Sequence, residues 1–161
     1  YENGVYTGTY RSGAFYYSIN QEDDGWISKE KWRIGSKASA YMSSPVLYEG
    51  HAYVLIQDGN FACYNLKTGK ECWRSEKQFG SGRHGKYMSL IRQGNRILAL
   101  DQGGGLHLIK ADPEKFQLID SKKVSTQPTW SHIAVSDEQV AVRELNAISV
   151  YDWKSSTPIV P

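Results

Sequence analysis

Short apolar and aromatic runs separated by Gly-, Asn- and Asp-bearing turns carry the pattern of this chain, and that is the pattern of antiparallel strands. Residues 44–74 spell it most completely. Residues 45–48 form a short apolar run closed by Glu49 and Gly50, and 51–56 are nearly all apolar, as expected of an inner strand buried on both faces. Asp58-Gly59 predicts a two-residue type I′ turn, whose two central residues both need positive φ. A third strand over 60–66, a Gly-containing loop over 67–70 and an outer strand over 71–74 complete four strands and three tight turns.

The rest of the chain reads as copies of this unit. Residues 4–10 and 14–19 are aromatic strands parted by Arg11-Ser12-Gly13, then come a polar loop over 20–25 and an outer strand over 26–33. Aligned on the full unit, Ile19-Asn20 matches Tyr64-Asn65 and Trp32-Arg33 matches Trp73-Arg74, so the opening unit lacks a first strand. Further on, Tyr87-Met88-Ser89 echoes Tyr41-Met42-Ser43 at a spacing of 46, and Gly94 follows Gly50 at a spacing of 44. Strands are expected over 97–100, 106–111 and 116–120, with a turn over 102–105 and Asp112-Pro113-Glu114-Lys115 in place of the Thr-Gly loop. The last unit predicts strands over 130–135, 139–143 and 147–151, with Asp152 where Asn65 stands and no fourth strand before Pro161.

Repetition at a period near 44, one small sheet per repeat, is the signature of a β-propeller. A lone sheet of this kind leaves a greasy face in water, whereas stacked blades bury one another. The reading is therefore all-β, a partial ring of about 3.5–4 blades in one domain over 1–161, with units near 1–40, 41–85, 86–127 and 128–161. The chain is expected to be the C-terminal part of a longer propeller, completed by further blades or by a second chain.

Composition sharpens this only slightly. At 161 residues, 40% hydrophobic and 22% charged, the chain is long enough for one domain with a real core. Eleven Tyr, five Trp and fifteen Gly suit aromatic strands broken by turns. A formal charge of +2 with both signs interspersed gives no field that argues for nucleic acid. No apolar run approaches the ~18 residues of a membrane span. Cys63 and Cys72 fall on opposite arms of one expected hairpin, so either a cross-strand disulfide or two free thiols fits. No Asn-x-Ser/Thr sequon occurs.

The run Cys63-Tyr64-Asn65-Leu66-Lys67-Thr68-Gly69-Lys70-Glu71-Cys72-Trp73 resembles the Ala-x-Asp-x-x-Thr-Gly-x-x-x-Trp docking motif of PQQ-like (quinoprotein-like) propeller repeats, BamB-type proteins among them. The opening unit keeps the tryptophan as Trp32. The third keeps Ala111 and has Leu118 or Ile119 near the tryptophan position, and the last keeps Asp152. The resemblance implies a blade-docking role for Trp32, Trp73, Thr68 and Gly69, and a periplasmic or extracellular setting. It also admits three kinds of function: an assembly scaffold, a sensor domain, or a PQQ-dependent oxidoreductase whose active residues lie in other blades. Dehydrogenases of the family use adjacent cysteines, calcium-ligating carboxylates and a catalytic Asp. This sequence has no adjacent cysteines and scatters its carboxylates over turns, which supports neither PQQ nor calcium.

Candidate chemistry is correspondingly thin. Trp130 and His132 are expected to share one strand face at the channel end of the last unit, with Arg143 ending the next strand, a set suited to a carbohydrate or an acidic group. The alternative is that Trp130 packs between blades and His132 bonds a loop. The loop 80–86, rich in Gly, Arg and Lys, lacks the strand-to-helix context of a phosphate loop and reads as a basic connector. Gly103-Gly104-Gly105 reads as a hairpin turn, and Asp23-Asp24-Gly25 as a solvated hairpin tip with too few oxygens for calcium. The four histidines show no zinc spacing with the cysteines, no nucleophile elbow occurs, and no Ser, His and acid can be assigned as a triad from spacing. No catalytic or metal residue is assigned. The expected function is a non-catalytic scaffold or binding module for a protein or polysaccharide, with no nucleic acid and no membrane span.

Overall fold

A computed structural model describes residues 3–40, 42–79 and 87–152. The loop 80–86 and the segment after Asp152 named above lie outside them. Four antiparallel sheets follow one another along the chain. The first is β1 (Gly4–Thr9), β2 (Gly13–Glu22) and β3 (Gly25–Ile34), followed by one 3-10 turn at Ser36–Ala38. The second runs β4 (Val46–Tyr48), β5 (His51–Leu55), β6 (Asn60–Asn65) and β7 (Glu71–Gln78). The third runs β8 (Met88–Gln93), β9 (Arg96–Asp101), β10 (Gly105–Lys110) and β11 (Gln117–Lys123). The fourth is β12 (Ala134–Ser136), β13 (Gln139–Arg143) and β14 (Ile148–Asp152). This is a β-propeller, built as a partial ring.

Strand alternation explains why the sheets stack. Along β5 and β6 in the second blade, Ala52, Val54, Ala62 and Tyr64 face the first blade, where Tyr6, Ala14, Tyr16 and Trp32 meet them. The intervening Tyr53, Leu55, Phe61 and Cys63 face the third blade and pack on Met88, Ile97, Ala99 and Ile109. The third blade repeats the arrangement, with Leu98, Leu100 and Leu106 turned toward Ile133, Val140 and Val142 of the fourth. Each fully buried aliphatic side chain contributes roughly 1.5–3 kcal/mol, and a middle blade collects this on both faces.

The turns differ from expectation in two places. Asp58 has negative φ and Gly59 alone is positive, at 90°; Gly59 N–H donates to Ile56 O at 2.9 Å and Ile56 pairs with Asn60. The hairpin is thus a three-residue loop ending in a left-handed glycine, not the two-residue type I′ turn. That turn sits one connection earlier, at Glu49 (φ 42°) and Gly50 (φ 75°), between the paired Tyr48 and His51. The supposed polar loop 20–25 is strand: β2 continues to Glu22 and pairs Gln21 with Trp26, leaving only Asp23 and Asp24 at the tip. Polar alternation on a solvent-exposed hairpin looks like a loop because neither face is apolar.

Cys63 and Cys72 are free thiols. Trp73, not Cys72, pairs with Cys63, and Cys72 is the extra residue of a bulge.

Candidate functional site

The docking motif is a seat for the preceding blade's tryptophan. Asn65 Oδ1 accepts hydrogen bonds from Lys67 N–H (3.0 Å), Thr68 N–H (3.0 Å) and Thr68 Oγ1 (3.1 Å), and Lys70 N–H donates to Thr68 Oγ1 at 3.3 Å. Asn65 and Thr68 thus wire the loop, and Gly69 takes φ +72° within it. A Cβ on Gly69 would stand 2.8 Å from Cδ2 of Trp32, so glycine lets the indole of the first blade lie on the backbone of the second. Trp32 Nε1 then donates to Leu66 O at 2.7 Å. Trp73 repeats the contact one blade on, donating to Asp112 O at 2.8 Å and packing against Phe116 at 5.7 Å between ring centroids.

Both tryptophans occupy the same place in the strand register. Trp32 pairs with Tyr16 immediately before a β-bulge, and Trp73 pairs with Cys63 immediately before one. In the third blade the corresponding bulge follows the pair Leu108 and Asp120, so Asp120 stands where the indole would be. Neither Leu118 nor Ile119 takes that position. Leu118 packs back into the core shared with the second blade, and Ile119 is the exposed extra residue of the bulge. The bulge hides the equivalence, because it shifts the outer strand by one residue against any alignment made on the inner strands.

Among the described residues the interface between the third and fourth blades holds a crevice of about 240 Å³. Leu98, Leu106, Leu108, Val140 and Tyr151 form its apolar walls, and Asp120, Lys122 and Asp152 are exposed beside them. Tyr151 Oη donates to Val124 O and ties the two blades together at this point.

The channel-end set is arranged differently from expectation. Residues 128–133 are an irregular connector, and β12 begins only at Ala134, so Trp130 and His132 share no strand face. The connector is held to the third blade instead: buried Thr129 donates through Oγ1 to Asp101 O at 2.6 Å and through N–H to Gln102 O at 3.1 Å. Trp130 is 64% exposed. His132 is exposed, with Nδ1 3.5 Å from Ser89 Oγ of β8. Ser131 Oγ lies 3.5 Å from Arg143 O, which sets the connector beside the end of β13 where the exposed Arg143 sits.

A third constellation escaped sequence reasoning. His107 Nε2 lies 2.8 Å from Asp101 Oδ2, and its Nδ1 lies 2.8 Å from Ser121 Oγ. Asp101 Oδ1 also accepts the N–H groups of Gly103 and Gly105, so this carboxylate pins the β9–β10 turn. Burial pushes the Asp101 carboxyl up, but the donors His107, Gly105 and Gly103 outweigh it and hold the group below the usual carboxylate value. Acid, imidazole and hydroxyl are in hydrolase order, yet His107 is only 5% exposed and edges onto Phe79 at 5.0 Å. His107 and Asp101 are thus enclosed while Ser121 is exposed, and the set ties β9, β10 and β11 together as a strut. Spacing in sequence gave no hint of it, because His107 and Ser121 meet only through the register of β10 and β11.

Among the described residues, no three His, Cys, Asp or Glu side chains gather as a metal site. No described helix is long and apolar enough to cross a membrane.

No protein-family profile matches the sequence, and no curated protein matches it. Solved structures do. The fold resembles BamB from Moraxella catarrhalis (13% identity, TM-score 0.64), over 98% of this chain and 44% of that one. It also resembles the Swd1 β-propeller domain of Myceliophteria thermophila (12% identity, TM-score 0.65), over 93% and 52%. A third likeness is to the computationally designed Ika4 protein (11% identity, TM-score 0.62), over 94% and 86%. At these identities the likeness establishes the propeller fold. The chain spans about half the length of the two natural propellers.

Proposed function

We propose that this chain is part of a non-catalytic propeller scaffold that presents a rigid surface to a protein or polysaccharide in a periplasmic or extracellular setting. One observation carries the reading: Trp130 and His132 are exposed on a connector that buried Thr129 anchors and that Ser131 sets beside the end of β13, where Arg143 is exposed. A large aromatic held in water on a rigid backbone costs hydrophobic free energy unless a partner covers it, and Trp and Arg are the side chains most often central to interfaces. The same logic applies to the outer face of the fourth blade, where Ile148 and Val150 are 71% and 57% exposed. On the first blade Arg33 lies 4.3 Å over the Phe15 ring and pairs with Glu30 at 2.8 Å, which covers part of the corresponding face. Further blades or a second chain packed on β12–β14 would complete the ring.

The test is a screen of peptide and glycan arrays with the wild-type chain and with Trp130→Ala and Arg143→Ala. Ligands that bind the wild type and are lost from both variants support the proposal. A chromophore tightly retained after incubation with PQQ and calcium would overturn it.

A further inference from the structure

Ser121 lies on β11, the outermost strand of the third blade, and its hydroxyl ends a hydrogen-bonded chain that starts at a buried carboxylate. Asp101 Oδ1 is taken by the N–H groups of Gly103 at 2.8 Å and Gly105 at 3.0 Å, which leaves Oδ2 for His107 Nε2 at 2.8 Å. A Cβ on Gly105 would stand 2.6 Å from Asp101 Oδ2 and 2.8 Å from His107 Nε2, so the glycine makes room for this pair. His107 Nδ1 then meets Ser121 Oγ at 2.8 Å. Asp101 and His107 are buried, whereas Ser121 is exposed.

The direction of each hydrogen bond follows from what the groups can donate. An ionised carboxylate only accepts, so Asp101 requires the proton of a neutral imidazole on Nε2, and Nδ1 keeps a lone pair. Ser121 Oγ–H donates into that lone pair, and its oxygen retains its own. A plain cross-strand tie needs no third group. Here the imidazole is oriented by Asp101, flanked edge-on by Phe79 at 5.0 Å, and aimed at the hydroxyl of an exposed residue, which is the arrangement that activates a weak nucleophile.

We infer that Ser121 is a covalent modification site that takes an acyl group from an activated ester. Ser121 Oγ bonds to the ester carbonyl carbon while its proton passes to His107 Nδ1. The bond from that carbon to the alcohol oxygen then breaks, and the departing oxygen takes the proton from His107. The products are the O-acylated serine and the free alcohol. Ser121 N–H is already bonded to Asp120 Oδ1 at 2.7 Å, so this amide does not receive the tetrahedral oxyanion and the reactivity comes from the base. The outcome is a stoichiometric modification of a scaffold, independent of the surface around Trp130.

Brief treatment of the full chain with p-nitrophenyl acetate, followed by peptide mapping of O-acetylated serines, tests the assignment. Ser28 and Ser136 are exposed and bonded to none of the described histidines, so they serve as references within the same molecule. General-base assistance predicts acetylation of Ser121 at least about a hundredfold faster than of either. His107→Gln should bring Ser121 down to their rate, with the urea midpoint reporting whether that variant folds; the comparison within the wild type decides the matter if it does not. A Ser121 rate equal to those of Ser28 and Ser136, or one unchanged in a folded His107→Gln variant, would overturn the assignment.

Discussion

Trp73 donates its indole N–H to the backbone carbonyl of Asp112, 39 residues further along the chain and one blade away, at 2.8 Å. Because Trp32 makes the same contact with Leu66, the docking motif links neighbouring blades and is not confined to one. Trp73→Ala should therefore cost about 3 kcal/mol, as large-to-small changes at packed sites do. Trp73→Phe, which keeps a ring and loses the hydrogen bond, should cost about 1 kcal/mol. Urea denaturation of the two variants separates packing from hydrogen bonding.

Gly69 offers a cleaner probe of the seat. Gly69→Ala introduces a Cβ at φ +72° and 2.8 Å from Trp32, whereas Gly94→Ala introduces one at φ +55° with no neighbour within 4 Å. Both variants carry the left-handed backbone penalty of about 1–2 kcal/mol. Only Gly69→Ala should lose more than that and alter the near-ultraviolet signal of Trp32. Equal losses at the two sites would show that the seat is not tight.

The Asp101 strut predicts a specific acid limb. A carboxyl held below its ordinary value of 3.8 in the folded state favours folding whenever it is ionised. That stabilisation is fully present above the unfolded value and is lost as pH falls through the lower, folded value. Wild-type stability should thus drop below about pH 4, and Asp101→Asn should be less stable at neutral pH with a shallower acid limb. The measurement is the urea midpoint as a function of pH.

The two thiols should behave oppositely. Cys63 is fully buried, and burial, reinforced by the adjacent Cys72, pushes its thiol well above the usual range; Cys72 is exposed. A thiol reagent should modify Cys72 in the native protein and reach Cys63 only on unfolding. Mass mapping after brief labelling reads this directly.

Much of the fold was legible because the nearly unbroken apolar run over 51–56 matched the two-faced burial that a middle blade requires. The motif around Thr68 and Gly69 was legible for the same reason, since its loop chemistry is local in sequence. What could not be read was set by pairing between distant strands. The bulge that puts Asp120 in register with the tryptophans and the meeting of His107 with Ser121 both depend on strand register, which leaves no local mark. The channel-end segment misled because Trp130 and His132 alternate as strand residues do, while Thr129 anchors the stretch to another blade's turn. The long first hairpin misled in the opposite sense, being polar on both faces yet fully paired to Glu22.

Trp32 and Trp73 are one docking device at two blade interfaces, and Asp120 holds the equivalent register position at the third. Chemical denaturation of Asp120→Trp tests this most directly. If the register is right, the new indole packs between the third and fourth blades and raises stability by about 1–2 kcal/mol with an unchanged denaturant slope. An unchanged or lowered midpoint would contradict the equivalence of Trp32, Trp73 and Asp120.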